Sequence, residues 1–483
     1  MNDKRDTIAA IATAHGTGAI GVVRVSGGDA SSVLGRVFRV AGGCSVDEFL
    51  SHRMYYGKIF RGNEVVDEVM VCFMRSPRSF TCEDCVEIFA HGGLFVLGEV
   101  LSTVLDNGAR LAEPGEFTKR AFLNGRLNLA QAEAVADLIG AKTAAAQRAA
   151  LRQLGGGLSE RIETNRDRIL QWLAHIELSI DYPEHEEEAR NAIEIIGEAG
   201  DVLTDLRKLC ETADTGRIIR NGVRTAIIGR PNVGKSTLLN AILRENRAIV
   251  HETAGTTRDV LTEEVRVADV PLVIMDTAGL RETSDPIEKI GIEKTHEAVL
   301  DAELILYVAD ATEGLTEEDY VSIELFAKSK NFFVLLNKAD LLGGVGDNSP
   351  VATGDFEPTG ITPLHSYVPS IEGDFCSTPP LPISAKNGEG LDVLFSRVRE
   401  LFLAGSVGEG GEADIITRER HRVLLEYAVG RIENSVAELS GGVPEDLVSV
   451  SLRAAYIALG EILGKEIGDD IVDRIFAEFC VGK

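Results

Sequence analysis

The chain has 483 residues, more than one hydrophobic core usually organises, so about two to four domains are expected. Its composition, 44% apolar and 26% charged, is that of a globular protein, and a formal net charge of −27 excludes general coating of polyanions. A nucleic-acid partner would need a local basic patch or an accessory protein. The seven cysteines (Cys44, Cys72, Cys82, Cys85, Cys210, Cys376 and Cys480) are odd in number and scattered, which is not the pattern of a disulfide framework. No apolar run reaches the length of a bilayer span, and Met1-Asn2-Asp3-Lys4-Arg5-Asp6 lacks a signal-peptide core, so a cytoplasmic protein with no membrane contact is expected.

In chain order, the stretch from Asp6 to about Gly125 reads as mixed α/β. Apolar runs at Gly18–Val25, Glu68–Met74 and Val86–Ala90 predict strands, and Leu94–Leu105 has helical spacing that stops at Asn107-Gly108. From Arg126 to about Arg217 the composition turns to Ala, Leu, Glu, Gln and Arg, which predicts helices, with a break at Asp181-Tyr182-Pro183. The carboxylates of Glu184–Glu188 spread around a helix instead of converging, so no metal is assigned there.

From Val223 to about Phe402 strands and helices alternate. Strands at Val223–Ile228, Leu272–Met275, Leu304–Val308 and Phe332–Leu336 imply a parallel sheet covered on both faces. Residues 343–382 are rich in Gly, Pro, Ser, Thr and Asp and read as a loop insertion without chemistry. After the linker Gly405–Gly411 helices return, with Leu452, Tyr456, Leu459 and Leu463 on one face. Helical stretches on both sides of an α/β segment suggest an insertion into one helical domain, two separate bundles being the alternative. The expected division is 1–125, 126–218, 219–404 and 405–483.

Gly229-Arg230-Pro231-Asn232-Val233-Gly234-Lys235-Ser236 follows a strand and leads into Thr237-Leu238, the context of a phosphate-binding loop. Its amides wrap phosphate, Lys235 reaches the β and γ phosphates, and the Ser236 hydroxyl ligates Mg²⁺. Asp276-Thr277-Ala278-Gly279, after the next strand, supplies a carboxylate for Mg²⁺ and the Gly279 amide for the γ-phosphate. In Gly255-Thr256-Thr257-Arg258-Asp259, Thr257 is the expected Mg²⁺ ligand with Thr256 the alternative. Asn337-Lys338-Ala339-Asp340 places a carboxylate that accepts from the guanine ring N–H and amino group, whereas adenine presents an acceptor there. Ser384-Ala385-Lys386 completes base recognition through the backbone. Together these motifs predict GTP binding.

Leucine occupies position 280, where familiar GTPases place a water-orienting Gln, so another group must take that part. Glu288 in the same loop is the candidate, the other reading being an exposed loop carboxylate. With no arginine finger identifiable, Asn232 and nearby loop carbonyls are candidates to hold a monovalent cation beside the phosphates.

These motifs, the segments Asp6–Ala10, Gly21–Gly27 and Pro114–Thr118 through Leu129–Ala134, and above all the ending Phe479-Cys480-Val481-Gly482-Lys483 resemble the MnmE (TrmE) family of tRNA-modification GTPases over nearly the whole length. The resemblance implies a folate-binding, dimerising α/β N-terminal domain, a helical domain, and an inserted P-loop GTPase domain. It implies K⁺ held by Asn232 with oxygens at His251, Thr253 and Thr256, Mg²⁺ held by Ser236 and Thr257, and Glu288 orienting water. It places a folate, 5,10-methylene-tetrahydrofolate or its analogue 5-formyl-tetrahydrofolate, near Arg24, Glu87, Arg126 and Lys483. The implied activity is K⁺-activated GTP hydrolysis serving addition of a (carboxymethyl)aminomethyl group to C5 of the wobble uridine U34 of certain tRNAs. The implied partners are an MnmG-like FAD protein, as a heterotetramer, a second copy of the chain, and tRNA. The alternative is a ribosome-assembly or RNA-binding GTPase switch without modification chemistry. Cys480 is read two ways, as a thiolate toward the uracil ring or as a thiol buried beside Phe476 and Phe479. Cys82-Glu83-Asp84-Cys85 is read as incidental, since zinc would need two more ligands.

Overall fold

A computed structural model describes residues 6–181, 192–246, 263–275, 301–327, 331–342, 379–403 and 414–482. The chain divides into two compact units, one of Met1–Ala141, Ala146–Ala213 and Asp414–Lys483, the other of Lys142–Ala145 and Asp214–Ala413.

The first unit opens with strands β1 (Ile8–Ile11) and β2 (Ile20–Ser26), helix α1 (Ala30–Val37), and strands β3 (Phe38–Val40), β4 (Arg53–Arg61), β5 (Glu64–Met74) and β6 (Cys85–His91). Helix α2 (Leu94–Asp106) and strand β7 (Arg110–Leu111) follow. The sheet order is β3-β4-β5-β6-β2-β1-β7, antiparallel except for the β1–β7 pair. Alternation along the strands sorts the two faces. Val23, Val25, Val69, Val71, Phe73, Val86 and Ile88 turn toward Val33, Leu34 and Val37 of α1 and Leu97, Val100 and Val104 of α2, forming one core. Residues one position on, Arg24, Cys72 and Glu87, take the opposite face, half buried. Sequence spacing anticipates β2, β5, β6 and α2. It does not anticipate β1, β3, β4, β7 or α1, because β4 carries Arg53, Lys58 and Arg61 among its apolar residues and the others are short.

Helices α3 (Glu116–Leu123), α4 (Leu129–Ile139), α5 (Ala144–Leu154), α6 (Gly157–Asp181) and α7 (Ala192–Glu211) come next, and α12 (Glu419–Ser440), α13 (Glu445–Leu463) and α14 (Asp469–Ala477) close the chain. Asn128 and Gln131 form a reciprocal capping box at the start of α4. Helix α6 stops at Asp181, before Tyr182-Pro183; Glu184–Glu188 lie outside the described residues. One core joins Ile162, Ile169, Trp172 and Ile176 of α6, Val202 and Leu206 of α7, Leu425 and Ile432 of α12, and Leu452 and Leu459 of α13. The two helical stretches therefore share a core, and the separate-bundle alternative does not hold. Trp172 is fully buried and its indole N–H donates to Glu198 Oε2 at 2.8 Å, so the polar end is satisfied where the ring is packed.

The second unit carries α8 (Ala213–Asn221), β8 (Val223–Ile228), α9 (Lys235–Asn246), β9 (Glu263–Val267), β10 (Val270–Ile274), β11 (Leu304–Asp310), α10 (Glu317–Ala327), β12 (Asn331–Asn337), β13 (Leu381–Pro382) and α11 (Leu391–Leu403). The sheet order is β13-β12-β11-β8-β10-β9. Every residue of β11 is buried, as required of a parallel strand covered on both faces. Two expectations are corrected. Strand β9 is antiparallel to β10, because Ala268 and Asp269 both adopt positive φ and make a two-residue hairpin turn; the signal was the alternation of buried Val265 and Val267. The expected excursion 343–382 does not run to its end as loop, since Leu381 and Pro382 pair in parallel with Leu335 and Leu336. Residues 343–378 lie outside the described residues.

Candidate functional site

The phosphate-binding loop joins β8 to α9, so its amides sit at a helix N-terminus where the dipole favours anions. Asn232 and Gly234 both have positive φ, 63° and 98°. At position 234 only glycine is tolerated, because a Cβ there would collide with the side-chain amide of Asn337. Lys235 Nζ donates to the carbonyls of Gly229 at 2.8 Å and Arg230 at 2.7 Å, and burial depresses its pKa. Among the described residues this half-buried ammonium meets only neutral carbonyls, and a phosphate would supply the negative charge that suits it. The residues present therefore fit a nucleotide diphosphate or triphosphate. Ser236 and Thr237 lie in the first turn of α9, the usual place for a Mg²⁺ hydroxyl.

Asn337, at the end of β12, organises the loops around this cradle. Its Nδ2 donates to Val233 O at 2.8 Å and its Oδ1 accepts from Ala385 N at 2.9 Å, with the residue itself buried. The phosphate loop and the Ser384-Ala385-Lys386 segment are thereby brought together by one side chain. Ser384 and Ala385 are buried while Lys386 is exposed. Lys338 has φ 65° and its Nζ meets Asp310 Oδ2 at 2.6 Å. Burial works against ionised Asp310, but bonds from Lys338 and Thr312 hold its carboxyl below the usual range. Asp340 sits in the short 3₁₀ turn Ala339–Leu342, half exposed. Asp310 was not singled out from sequence; its place at the end of a buried strand was the available signal. Thr256, Thr257, His251, Thr253, Asp276, Thr277, Ala278, Gly279 and Glu288 all lie outside the described residues.

In the first unit, register places Arg24 of β2 opposite Glu87 of β6. Arg24 Nη2 meets Glu87 Oε1 at 2.8 Å and Nε at 3.0 Å. The Arg24 guanidinium stands 5.5 Å from the Phe80 ring and 5.6 Å from the Phe117 ring, and that of Arg126 4.8 Å from Phe80. Arg126 also donates to Phe80 O at 2.7 Å. Three of the four residues expected at a folate are thus gathered around Phe80, which sequence reasoning missed. An aromatic ring, two guanidinium groups and a carboxylate suit a flat heteroaromatic ring with an anionic tail. Lys483 lies outside the described residues. The segment before it meets the start of α3 and the end of β1: Gly115 N donates to Cys480 O at 3.3 Å, and Gly482 (φ 93°) lies so close that a Cβ there would collide with Ile11 O.

Cys480 is exposed although Phe476 and Phe479 are buried, so the buried-thiol reading is overturned: the rings pack inward and the cysteine does not follow them. Cys85 is buried, its thiol pushed up to about 12 by desolvation, and Cys82 is half exposed; among the described residues no group of ligands suits a metal. A second buried hub also escaped the sequence. Glu133 of α4 is bonded by His421 Nε2 at 2.7 Å and by Arg420 at 2.9 and 3.1 Å. Burial opposes its charge, yet His421 and Arg420 hold its carboxyl well below the usual range.

With this geometry in view, comparison with known proteins is specific. Residues 7–126 match the family described as GTP-binding protein TrmE N-terminus, and residues 129–480 that described as MnmE helical domain. A tRNA modification GTPase MnmE of Lactococcus lactis subsp. lactis is 44% identical over 484 residues, spanning 100% of both chains. One of Finegoldia magna is 42% identical over 478 residues, 99% of this chain and 100% of its own length. Among solved structures, Aquifex aeolicus Era bound to GDP and aluminium fluoride is 25% identical, covering 43% of this chain and 65% of that one, with a TM-score of 0.26. The chain belongs to the MnmE (TrmE) family of tRNA modification GTPases.

Proposed function

We propose that this protein hydrolyses GTP in the modification of tRNA, at C5 of the wobble uridine U34, together with an MnmG-like FAD protein. The observation that carries the reading is the Asn337 tie between the phosphate loop and the 384–386 segment, in a chain that spans its MnmE relatives end to end. Asn337 puts the phosphate cradle and the base-reading segment in one place, as a nucleotide spanning both requires.

In this reading Asn232, Val233, Gly234, Lys235, Ser236 and Thr237 hold the phosphates, and Asn337, Lys338, Asp340, Ser384, Ala385 and Lys386 form the guanine site. Ser236 and Thr257 hold Mg²⁺, which neutralises charge on the phosphates. Asn232, with oxygens at His251, Thr253 and Thr256, holds K⁺, and Glu288 orients water. The cluster around Phe80, with Lys483, binds a tetrahydrofolate as one-carbon source, and exposed Cys480 is available to the uracil ring. Residues 1–125 form the folate-binding, dimerising domain, and residues 219–404 the GTPase domain inserted between helical parts 126–218 and 405–483. A cytoplasmic site of action and a homodimer joined by the flavoprotein complete the proposal. The test is GTP turnover by the purified chain in K⁺ and in Na⁺ at equal ionic strength. Turnover several-fold faster in K⁺ is expected; equal rates remove Asn232 from the cation role.

A further inference from the structure

The second residue of the phosphate loop, Arg230, has no place in the nucleotide chemistry above, yet it carries the most elaborate side-chain anchorage of the loop. Its Nε meets Asp319 Oδ1 at 3.1 Å and its Nη2 meets Glu313 Oε2 at 3.0 Å. Asp319, in the first turn of α10, is fully buried. It is also saturated: Tyr307 O–H donates to Oδ1 at 2.6 Å, while Thr316 N and Thr316 Oγ1 both donate to Oδ2 at 2.8 Å. Tyr307 belongs to β11, the strand neighbouring β8. The guanidinium is therefore fastened to a carboxylate that the sheet and the next helix already hold rigid.

What this fastening fixes is the backbone of position 230. The Arg230 carbonyl is one of the two oxygens on Lys235 Nζ, so the set of the loop's first turn decides where the ammonium rests. The far end of the loop is fixed separately, through Asn337 on Val233 O. A loop pinned at both ends is pre-organised, and a ligand binding it loses less affinity to ordering. Glu313 is exposed and its ion pair is worth little in water, whereas the Asp319 contact is shielded.

We infer that Arg230 is a positioning residue of the nucleotide site: through Asp319 it pins the first turn of the phosphate loop and sets affinity for the nucleotide's phosphates. The inference rests on the GTP-binding reading of that loop. A pinned loop serves ground state and transition state alike, so the effect belongs in binding and in KM, with kcat spared.

The experiment uses the full chain and fluorescent GDP and GTP for affinity, with steady-state GTP turnover in parallel. Arg230→Ala is expected to weaken both nucleotides about tenfold and raise KM to match, with kcat within about twofold of wild type. Arg230→Lys keeps the charge and loses the planar fork, and is expected between the two. Asp319→Asn added to Arg230→Ala is expected to weaken binding little further, since both act through one contact. Wild-type affinity in Arg230→Ala overturns the inference, as does a fall in kcat at unchanged KM. If Arg230→Ala does not fold, wild-type affinity in Arg230→Lys overturns it equally. Absence of turnover in the wild type would count against the GTPase reading alone, because GDP affinity reads the strut without hydrolysis.

Discussion

Two buried polar residues tie distant segments together in this protein, and they were legible to very different degrees. Asn337 belongs to the run Asn337-Lys338-Ala339-Asp340, and its partners Val233 and Ala385 belong to two further motifs, so all three segments were visible in the sequence before their contact was. Glu133 is bonded to residues almost three hundred positions away, and Leu129–Leu138 stood out only by helical composition and as part of the family resemblance, neither of which points to those partners. In the proposed function the first residue serves a ligand, whose fixed shape imposes a fixed spacing of residues on the chain. The second serves the fold, where any complementary charge at the right place suffices. Chemistry that grips a small molecule leaves a linear trace; chemistry that joins helices does not.

The largest effect is expected at Glu133. Glu133→Ala leaves buried His421 and half-buried Arg420 without their carboxylate, and should destabilise the unit by about 3–5 kcal/mol in denaturant unfolding. Nucleotide affinity of the remaining folded protein should be unchanged. Asn337→Ala should do the reverse. Losing two buried hydrogen bonds at about 1–1.5 kcal/mol each should weaken GTP binding on the order of 100-fold by fluorescence titration. A loss of stability without a loss of affinity would make Asn337 a packing residue.

A smaller effect comes from pH. His421 is fully buried and its pKa is lowered by desolvation, which outweighs the pull of Glu133. Among the described residues its Nδ1 has no partner, consistent with a neutral ring that donates from Nε2. The unfolded chain then binds more protons than the folded one below the ordinary value near 6.5, so stability rises with pH and is lost as pH falls through about 6.5. The expected slope is at most about 1.4 kcal/mol per pH unit between pH 6.5 and 5.5, measured by equilibrium unfolding, and His421→Gln should flatten it. Glu133 stays ionised throughout that window. The smallest effect is expected for Arg24→Ala, about 1 kcal/mol of stability for a half-buried pair, together with loss of tetrahydrofolate binding by calorimetry. Unchanged folate binding would return Arg24 to a purely structural part.

The same contrast runs through the fold. Strands β2, β6, β8, β11 and β12 were readable because each is a run of apolar residues between turn signals. Strand β9 was not, since only Val265 and Val267 face the core and the turn at Ala268-Asp269 lacks the Asn-Gly or Asp-Gly pair that marks such a hairpin. The shared helical core was expected from helical stretches on both sides of the α/β segment, but not which residues meet, because helical periodicity says which side is buried and not against what. The Arg24, Glu87 and Arg126 cluster depends on sheet register and on Phe80, and only the resemblance pointed to it.

The most direct test of the account is made in cells. The gene is deleted, and the strain is complemented with wild-type protein or with Lys235→Ala, whose ammonium sits at the phosphate loop. Nucleoside mass spectrometry then reads the wobble uridine of bulk tRNA. The account predicts unmodified U34 in the deletion, restoration by wild type and no restoration by Lys235→Ala; full modification in the deletion strain would contradict it.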